Sequence, residues 1–290
     1  MDKRIAGVYK KSETIVFDDS KKIVLMSDCH RGDGSWADTF SKNKNIYYAA
    51  LKAYSDNGYT YIEIGDGDEL WEYRSIDSII NVHKDVFLLL RRLYCAGRMY
   101  MIFGNHDMVK QKRKFNGKNL YYYRDERTGR YVPLFQGITV HEGLVLKHRE
   151  TGKEIFLIHG HQADFLNSRL WLIARFLVRY FWKPLETFGV NDPTSTAKNY
   201  KKKAKVEKIL SQYALRTGRI IVAGHTHRPA FPDPGKPGYF NAGSCVHPQS
   251  VTAIEIKNGA ISLVKWVVKT TNGGVLYIGR EVIAGPRKLG

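Results

Sequence analysis

An α/β domain is the fold class this sequence predicts, and three observations predict it. Short apolar runs rich in β-branched and aromatic residues alternate with longer amphipathic stretches, the order expected of βαβ units around a parallel sheet. Run after run closes on acidic, amide or imidazole side chains, and in open α/β sheets ligands bind outside the carboxyl ends of the strands. The chain has 290 residues, 43% of them hydrophobic, which is enough to bury one large core and carry an insertion. Such a composition excludes a disordered chain.

Charge narrows the partners. Lys plus Arg number 46 and Asp plus Glu 28, so the formal net charge is +18. An excess of that size favours anionic partners: nucleic acid, phosphorylated metabolites or an acidic membrane surface. Cys29, Cys95 and Cys245 form no Cys-x-x-Cys pair, and no basic-then-apolar leader opens the chain. A reducing cytoplasm is the expected compartment. No stretch reaches 18 uninterrupted apolar residues, so no spanning helix is expected.

Residues 1–14 are polar and charged and read as a poorly fixed lead-in. Residues 22–27 form the first strand, running into Asp28-Cys29-His30-Arg31. Alternation along a strand puts Asp28 and His30 on one side, a carboxylate and an imidazole that make a metal half-site or a simple capping turn. Residues 42–57 carry Ile46, Ala49, Ala50, Ala53 and Tyr54 at helical spacing and end in Asn57-Gly58. A second strand, 59–64, leads into Gly65-Asp66-Gly67-Asp68-Glu69-Leu70-Trp71. Asp66 directly follows the strand-ending glycine and is preferred as a carboxylate shared by two cations, with Asp68 as its rival. Residues 76–94 read as one long helix in which His83 is a structural histidine. The next strand, 99–103, delivers Gly104-Asn105-His106-Asp107.

Residues 110–130 interleave basic residues and tyrosines, which suits either single-stranded nucleic acid or a solvated rim loop. Strands at 138–149 and 153–158 follow, the second ending in His159-Gly160-His161. Of these two histidines His159, nearest the strand, is the expected ligand. Residues 165–182 are the most apolar segment and suit a membrane-interface helix or a cap packed on the main domain. The lysine-rich run 198–208 beside it suits anionic lipid or a solvated face. Strand 219–223 ends in Gly224-His225-Thr226-His227-Arg228, placing a second imidazole pair at a strand end. The remainder reads as strands with a hairpin turn at Asn258-Gly259, finishing a second sheet packed on the first.

Taken in order, Asp28-x-His30, Gly65-Asp66, Gly104-Asn105-His106-Asp107, His159-Gly-His161 and Gly224-His225-Thr-His227 resemble the calcineurin-like metallophosphoesterase family. The resemblance implies a four-layer αββα sandwich over residues 1–290, with residues 162–210 as a helical, basic cap. It implies two divalent cations, manganese first and Fe, Zn²⁺ or Ni²⁺ as alternatives. Asp28, His30 and His227 would hold one, Asn105, His159 and His225 the other, and Asp66 would bridge them. His106 is similar to the family's catalytic histidine, with Asp107 orienting it. Arg31, Arg228 and His161 are candidate substrate contacts. The implied activity is hydrolysis of a phosphate ester, phosphodiester or pyrophosphate, nucleotide- or lipid-linked, by attack of a metal-bridging hydroxide.

Within the family, Gly224-His-Thr-His-Arg-Pro229, the Trp71 after Gly-Asp-x-x-Glu and the helical insertion are similar to the UDP-2,3-diacylglucosamine pyrophosphatase branch. The chain departs from that branch at His106, where arginine is common, and at His161, where aspartate is common. A metal-dependent nuclease is the alternative that the charge favours, and a non-catalytic scaffold would require lost ligands. A lipid-linked substrate implies peripheral contact with an anionic membrane.

Overall fold

Two β-sheets lie face to face with helices outside each, so the four αββα layers expected are present. The structure is a computed structural model describing residues 2–73, 75–164, 176 and 200–289. Its elements run α1 (Asp2–Lys11), β1 (Glu13–Phe17), β2 (Ile23–Met26), α2 (Lys44–Asp56), β3 (Thr60–Ile64), α3 (Ile76–Val82), α4 (Lys84–Cys95) and β4 (Met99–Ile102). They continue with α5 (Arg113–Asn119), β5 (Tyr122–Arg124), β6 (Tyr131–Pro133), β7 (Val140–His141), β8 (Gly143–His148), β9 (Glu154–Ile158) and α6 (Tyr200–Thr217). The last are β10 (Ile220–Ala223), β11 (Tyr239–Asn241), β12 (Ser250–Lys257), β13 (Ala260–Thr270) and β14 (Leu276–Lys288).

One sheet has the order β14-β13-β12-β2-β3-β4-β7 and the other β1-β8-β9-β10-β11. Strands β2, β3 and β4 pair in parallel through α2 and the α3–α4 pair. All four residues of β2 are buried, because one face meets the helices and the other meets the second sheet. Leu25, Ile62, Ile64 and Ile102 from the first sheet pack on Leu144, Leu146, Leu157 and Val222 from the second. Each such side chain contributes about 1.5–3 kcal/mol by leaving water. Helices α2, α3 and α4 cover the first sheet, α1 and α6 the second.

Three expectations change. Residues 2–11 are helical and 13–17 form a strand parallel to β8, with Ile5 and Val8 buried, so the amino terminus is built into the second sheet. The single helix 76–94 is broken at His83, which caps α3 and opens α4. Strands β12 to β14 extend the first sheet, with β12 antiparallel to β2, while only β11 joins the second. Of the expected cap 162–210, residues 200–210 belong to α6, whose Val206 and Leu210 pack on the second sheet. The segments 165–175 and 177–199, with the proposed membrane helix, lie outside the described residues. Among the described residues no helix is long and apolar enough to cross a membrane.

His83 is the structural histidine expected, buried with its Nε2 2.9 Å from Asp38 Oδ2. Burial alone would raise the Asp38 carboxyl, but hydrogen bonds from His83, Ser41 and the Gly34 amide hold it down at about 2. A depressed carboxylate stabilises the fold above its unfolded value near 3.8, and that contribution is lost as pH falls through about 2. Asp38→Asn is therefore expected to cost about 1–2 kcal/mol at pH 7. Urea melts at pH 7 and pH 2 check this: the gap between the two proteins should shrink at pH 2.

Candidate metal centre

Five turns at the carboxyl ends of β2, β3, β4, β9 and β10 converge where the two sheets meet. The alternation expected to align Asp28 with His30, and His225 with His227, is not what aligns them. Strands β2 and β10 end at Met26 and Ala223, and the side chains are aimed by left-handed backbone instead. Asp28, His30, Asp66, His225 and His227 have φ of 54°, 48°, 51°, 67° and 56°. Each such non-glycine residue costs of order 1–3 kcal/mol and persists only where the surroundings enforce it, a pattern that clusters at functional sites. Close approach also fixes Gly104, where a Cβ would stand 2.1 Å from Asp66 Oδ1.

Two groups of donors face one another. Asp28, His30 and His227 form one, Asp66, His159 and His225 the other, and within each group the donor atoms lie within 4.8 Å. In Asp28, Asp66, His159 and His30 the outward atom is already engaged. Asp28 Oδ2 accepts from Ser27 Oγ (2.5 Å) and the His225 amide (2.9 Å), which leaves Oδ1 pointing inward. Asp66 Oδ1 accepts from the His106 amide (2.8 Å), leaving Oδ2 at 3.1 Å from His159 Nε2 and 3.8 Å from His30 Nε2. His159 Nδ1 donates to the Ile64 carbonyl (2.8 Å), and His30 Nδ1 bonds Glu69 Oε2 (2.9 Å). Fixing the rear nitrogen in this way presents the front one as a lone pair, as metal-binding histidines require.

The inward atoms fit a pair of cations. Asp28 Oδ1, Asn105 Oδ1, His159 Nε2 and His225 Nε2 are buried without a hydrogen-bond partner. Asp28 Oδ1 comes within 3.1 Å of His227 Nε2 without hydrogen-bond geometry, while His227 Nε2 lies 3.2 Å from His30 Nε2, so these atoms crowd one shared space. Buried donors left unpaired cost about 1–3 kcal/mol each, and here they are oxygen and nitrogen atoms without thiolate, the set that suits borderline divalent ions.

Electrostatics follow the same geometry. Burial would raise Asp28, but His227 and His159 hold its carboxyl far below the carboxylate range. Asp66 is likewise held well below it, against burial, by His159 and His106. Burial would lower His159, yet Asp66 and Asp28 lift it to about 9. His106 is raised in spite of burial, through Glu69 and Asp66, and the same partnership keeps Glu69 at about 2.

Sequence reading missed Glu69 and misassigned Asp107. Glu69 Oε1 bonds His106 Nδ1 (2.8 Å), so Glu69 and not Asp107 orients that imidazole, and Trp71 stacks on it at 4.3 Å between centroids. Asp107 is buried and accepts from the Gly104 (2.7 Å) and Gly67 (3.1 Å) amides. Asp68 is bound to Arg31 Nε (2.7 Å) and Lys110 Nζ (2.6 Å), whereas Asp66 Oδ2 stands near the His159 and His30 nitrogens. Arg31, expected at substrate, is fully buried on Glu63 and Asp68, because a guanidinium pointing inward needs carboxylate partners. His161 is also fully buried, with ring centroids 5.5 Å from His159 and 6.1 Å from Phe103. Arg228 stays half exposed and is clasped by Glu207. In the basic stretch 110–130, Lys110 and Tyr123 are buried and unavailable to nucleic acid.

Residues 21–229 match the family model described as calcineurin-like phosphoesterase. No curated protein matches the chain. Among solved structures, the chain is similar to Vps29 from Chaetomium thermophilum at 11% identity and a TM-score of 0.41, covering 91% of this chain and 97% of that one. It is also similar to the cold-active protein-tyrosine phosphatase of a psychrophilic Shewanella at 14% identity and a TM-score of 0.41, covering 94% and 83%.

Proposed function

The chain belongs to the calcineurin-like phosphoesterase family, and on that premise we propose a hydrolase of phosphate esters, phosphodiesters or pyrophosphates working through a dinuclear centre. Asp28, His30 and His227 would hold one cation, Asn105, His159 and His225 the other, with Asp66 shared between them. The observation that carries this reading is the ring of buried, unpaired inward donors on both sides of Asp66 Oδ2. When bound, two divalent ions supply a water of lowered pKa and neutralise charge on a phosphate; manganese is the expected occupant.

The chain's own residues supply the rest. With Nδ1 held by Glu69 and the ring plane set by Trp71, His106 has Nε2 left to donate a proton to the departing oxygen. Its acidic neighbours, Glu69 and Asp66, raise its pKa in spite of burial and so favour the protonated ring. Arg228, half exposed beside His227 in sequence and paired with Glu207, is the candidate contact for substrate phosphate.

The test is an activity screen of manganese-loaded protein against a phosphomonoester, a phosphodiester, a nucleotide pyrophosphate and single-stranded DNA, with His106→Ala as control. Turnover of a small ester or pyrophosphate that the control lacks is expected. Turnover of DNA alone, weakening steeply with salt, would replace this reading by the nuclease.

A further inference from the structure

Behind the donors lies a cluster of five charged side chains with no exposed surface: Arg31, Glu63, Asp68, Asp107 and Lys110. Arg31 makes a bidentate pair with Glu63 (Nη1 to Oε2 2.8 Å, Nη2 to Oε1 3.0 Å) and gives Nε to Asp68 Oδ1 at 2.7 Å. Its guanidinium lies 5.1 Å from the centre of the Phe87 ring. Lys110 Nζ forms an ion pair with the other oxygen of Asp68 (2.6 Å) and a hydrogen bond to Asp107 Oδ2 (2.7 Å). Asp107 in turn gathers the amides of Gly67 and Gly104, the residues immediately after Asp66 and immediately before Asn105.

The cluster therefore joins three separate turns: the one bearing Asp28 and His30, the one bearing Asp66 and the one bearing Asn105. Backbone bonds follow the same route, from the His30 amide to the Asp66 carbonyl (2.9 Å) and from the Arg31 amide to the Gly67 carbonyl (3.0 Å). Stability alone gives no reason for ions here, since well-packed apolar residues in place of a buried ion network are often neutral or stabilising. Position gives one, because the Arg31–Asp68 bond and the Lys110–Asp68 ion pair each tie one turn to another.

We propose that Lys110, with Arg31, is a positioning residue: the two cations lock three donor-bearing turns at the spacing a pair of cations needs. The proposal rests on the dinuclear reading above. Two variants of the full chain test it by calorimetric Mn²⁺ titration, with circular dichroism as the folding check. Lys110→Met removes the cation, and Asp68→Asn combined with Lys110→Met removes one charge of each sign, leaving Asp107 on the Gly67 and Gly104 amides.

The double variant is expected to fold and to bind Mn²⁺ about 10–100-fold more weakly than the wild type, with kcat reduced and KM little changed. A folded double variant with wild-type Mn²⁺ affinity would overturn the proposal. Failure of both variants to fold would overturn it as well, since the network would then be holding the core. Wild type that binds two Mn²⁺ ions but hydrolyses none of the esters would count against the hydrolase alone.

Discussion

His106→Ala is expected to lower kcat by about 10²–10⁴-fold, the range for losing a positioned general acid, while the protein still binds two manganese ions. The ring stands at the junction of the two functions. Its amide holds Asp66 Oδ1, its Nδ1 bonds Glu69, and its face lies on Trp71. Alanine keeps the amide bond to Asp66, so the donors stay in place and only the proton source is lost. Steady-state kinetics with a phosphomonoester, alongside calorimetric counting of bound Mn²⁺, separates the two effects. Unchanged kcat would remove His106 from the chemistry. Lost manganese would place it among the ligands, a reading that the donor-like grouping of His30, Glu69 and His106 makes worth excluding.

Stripping divalent ions is expected to abolish turnover, and adding Mn²⁺ back to restore it. The inward oxygens of Asp28 and Asn105 and the inward nitrogens of His159 and His225 are buried without a hydrogen-bond partner. Ions that bind only the folded chain stabilise it by about 2.7 kcal/mol each at 100 times the dissociation constant. At about 2–4 °C per kcal/mol, one ion raises the melting temperature by about 5–10 °C. Differential scanning calorimetry of the stripped and reloaded protein reads the shift. Turnover that survives chelation, with no change in melting, would contradict the dinuclear reading.

Much of the site was legible because each donor follows a strand. An apolar run closing on Gly65-Asp66, Gly104-Asn105 or Gly224-His225 announces both the strand and the turn at its end. What aims the donors was not legible. Non-glycine residues in left-handed backbone leave no periodic trace, so strand alternation reached the right grouping of Asp28 with His30 for the wrong reason. Which carboxylate serves which imidazole was equally hidden, since Asp107 is adjacent to His106 in sequence and Glu69 is adjacent only in space. Arg31 and Lys110 show the limit of reading cations as surface: Glu63 and Asp68, distant in sequence, lie beside them in the fold. Helix α1 escaped notice because its only buried apolar residues are Ile5 and Val8.

Anomalous diffraction at the manganese edge, from crystals grown with Mn²⁺, addresses the centre most directly. Two peaks about 3.5–4 Å apart are expected, with Asp66 Oδ2 between them, His30 and His227 beside one and His159 and His225 beside the other. A single peak, or paired peaks away from Asp66, would contradict the account.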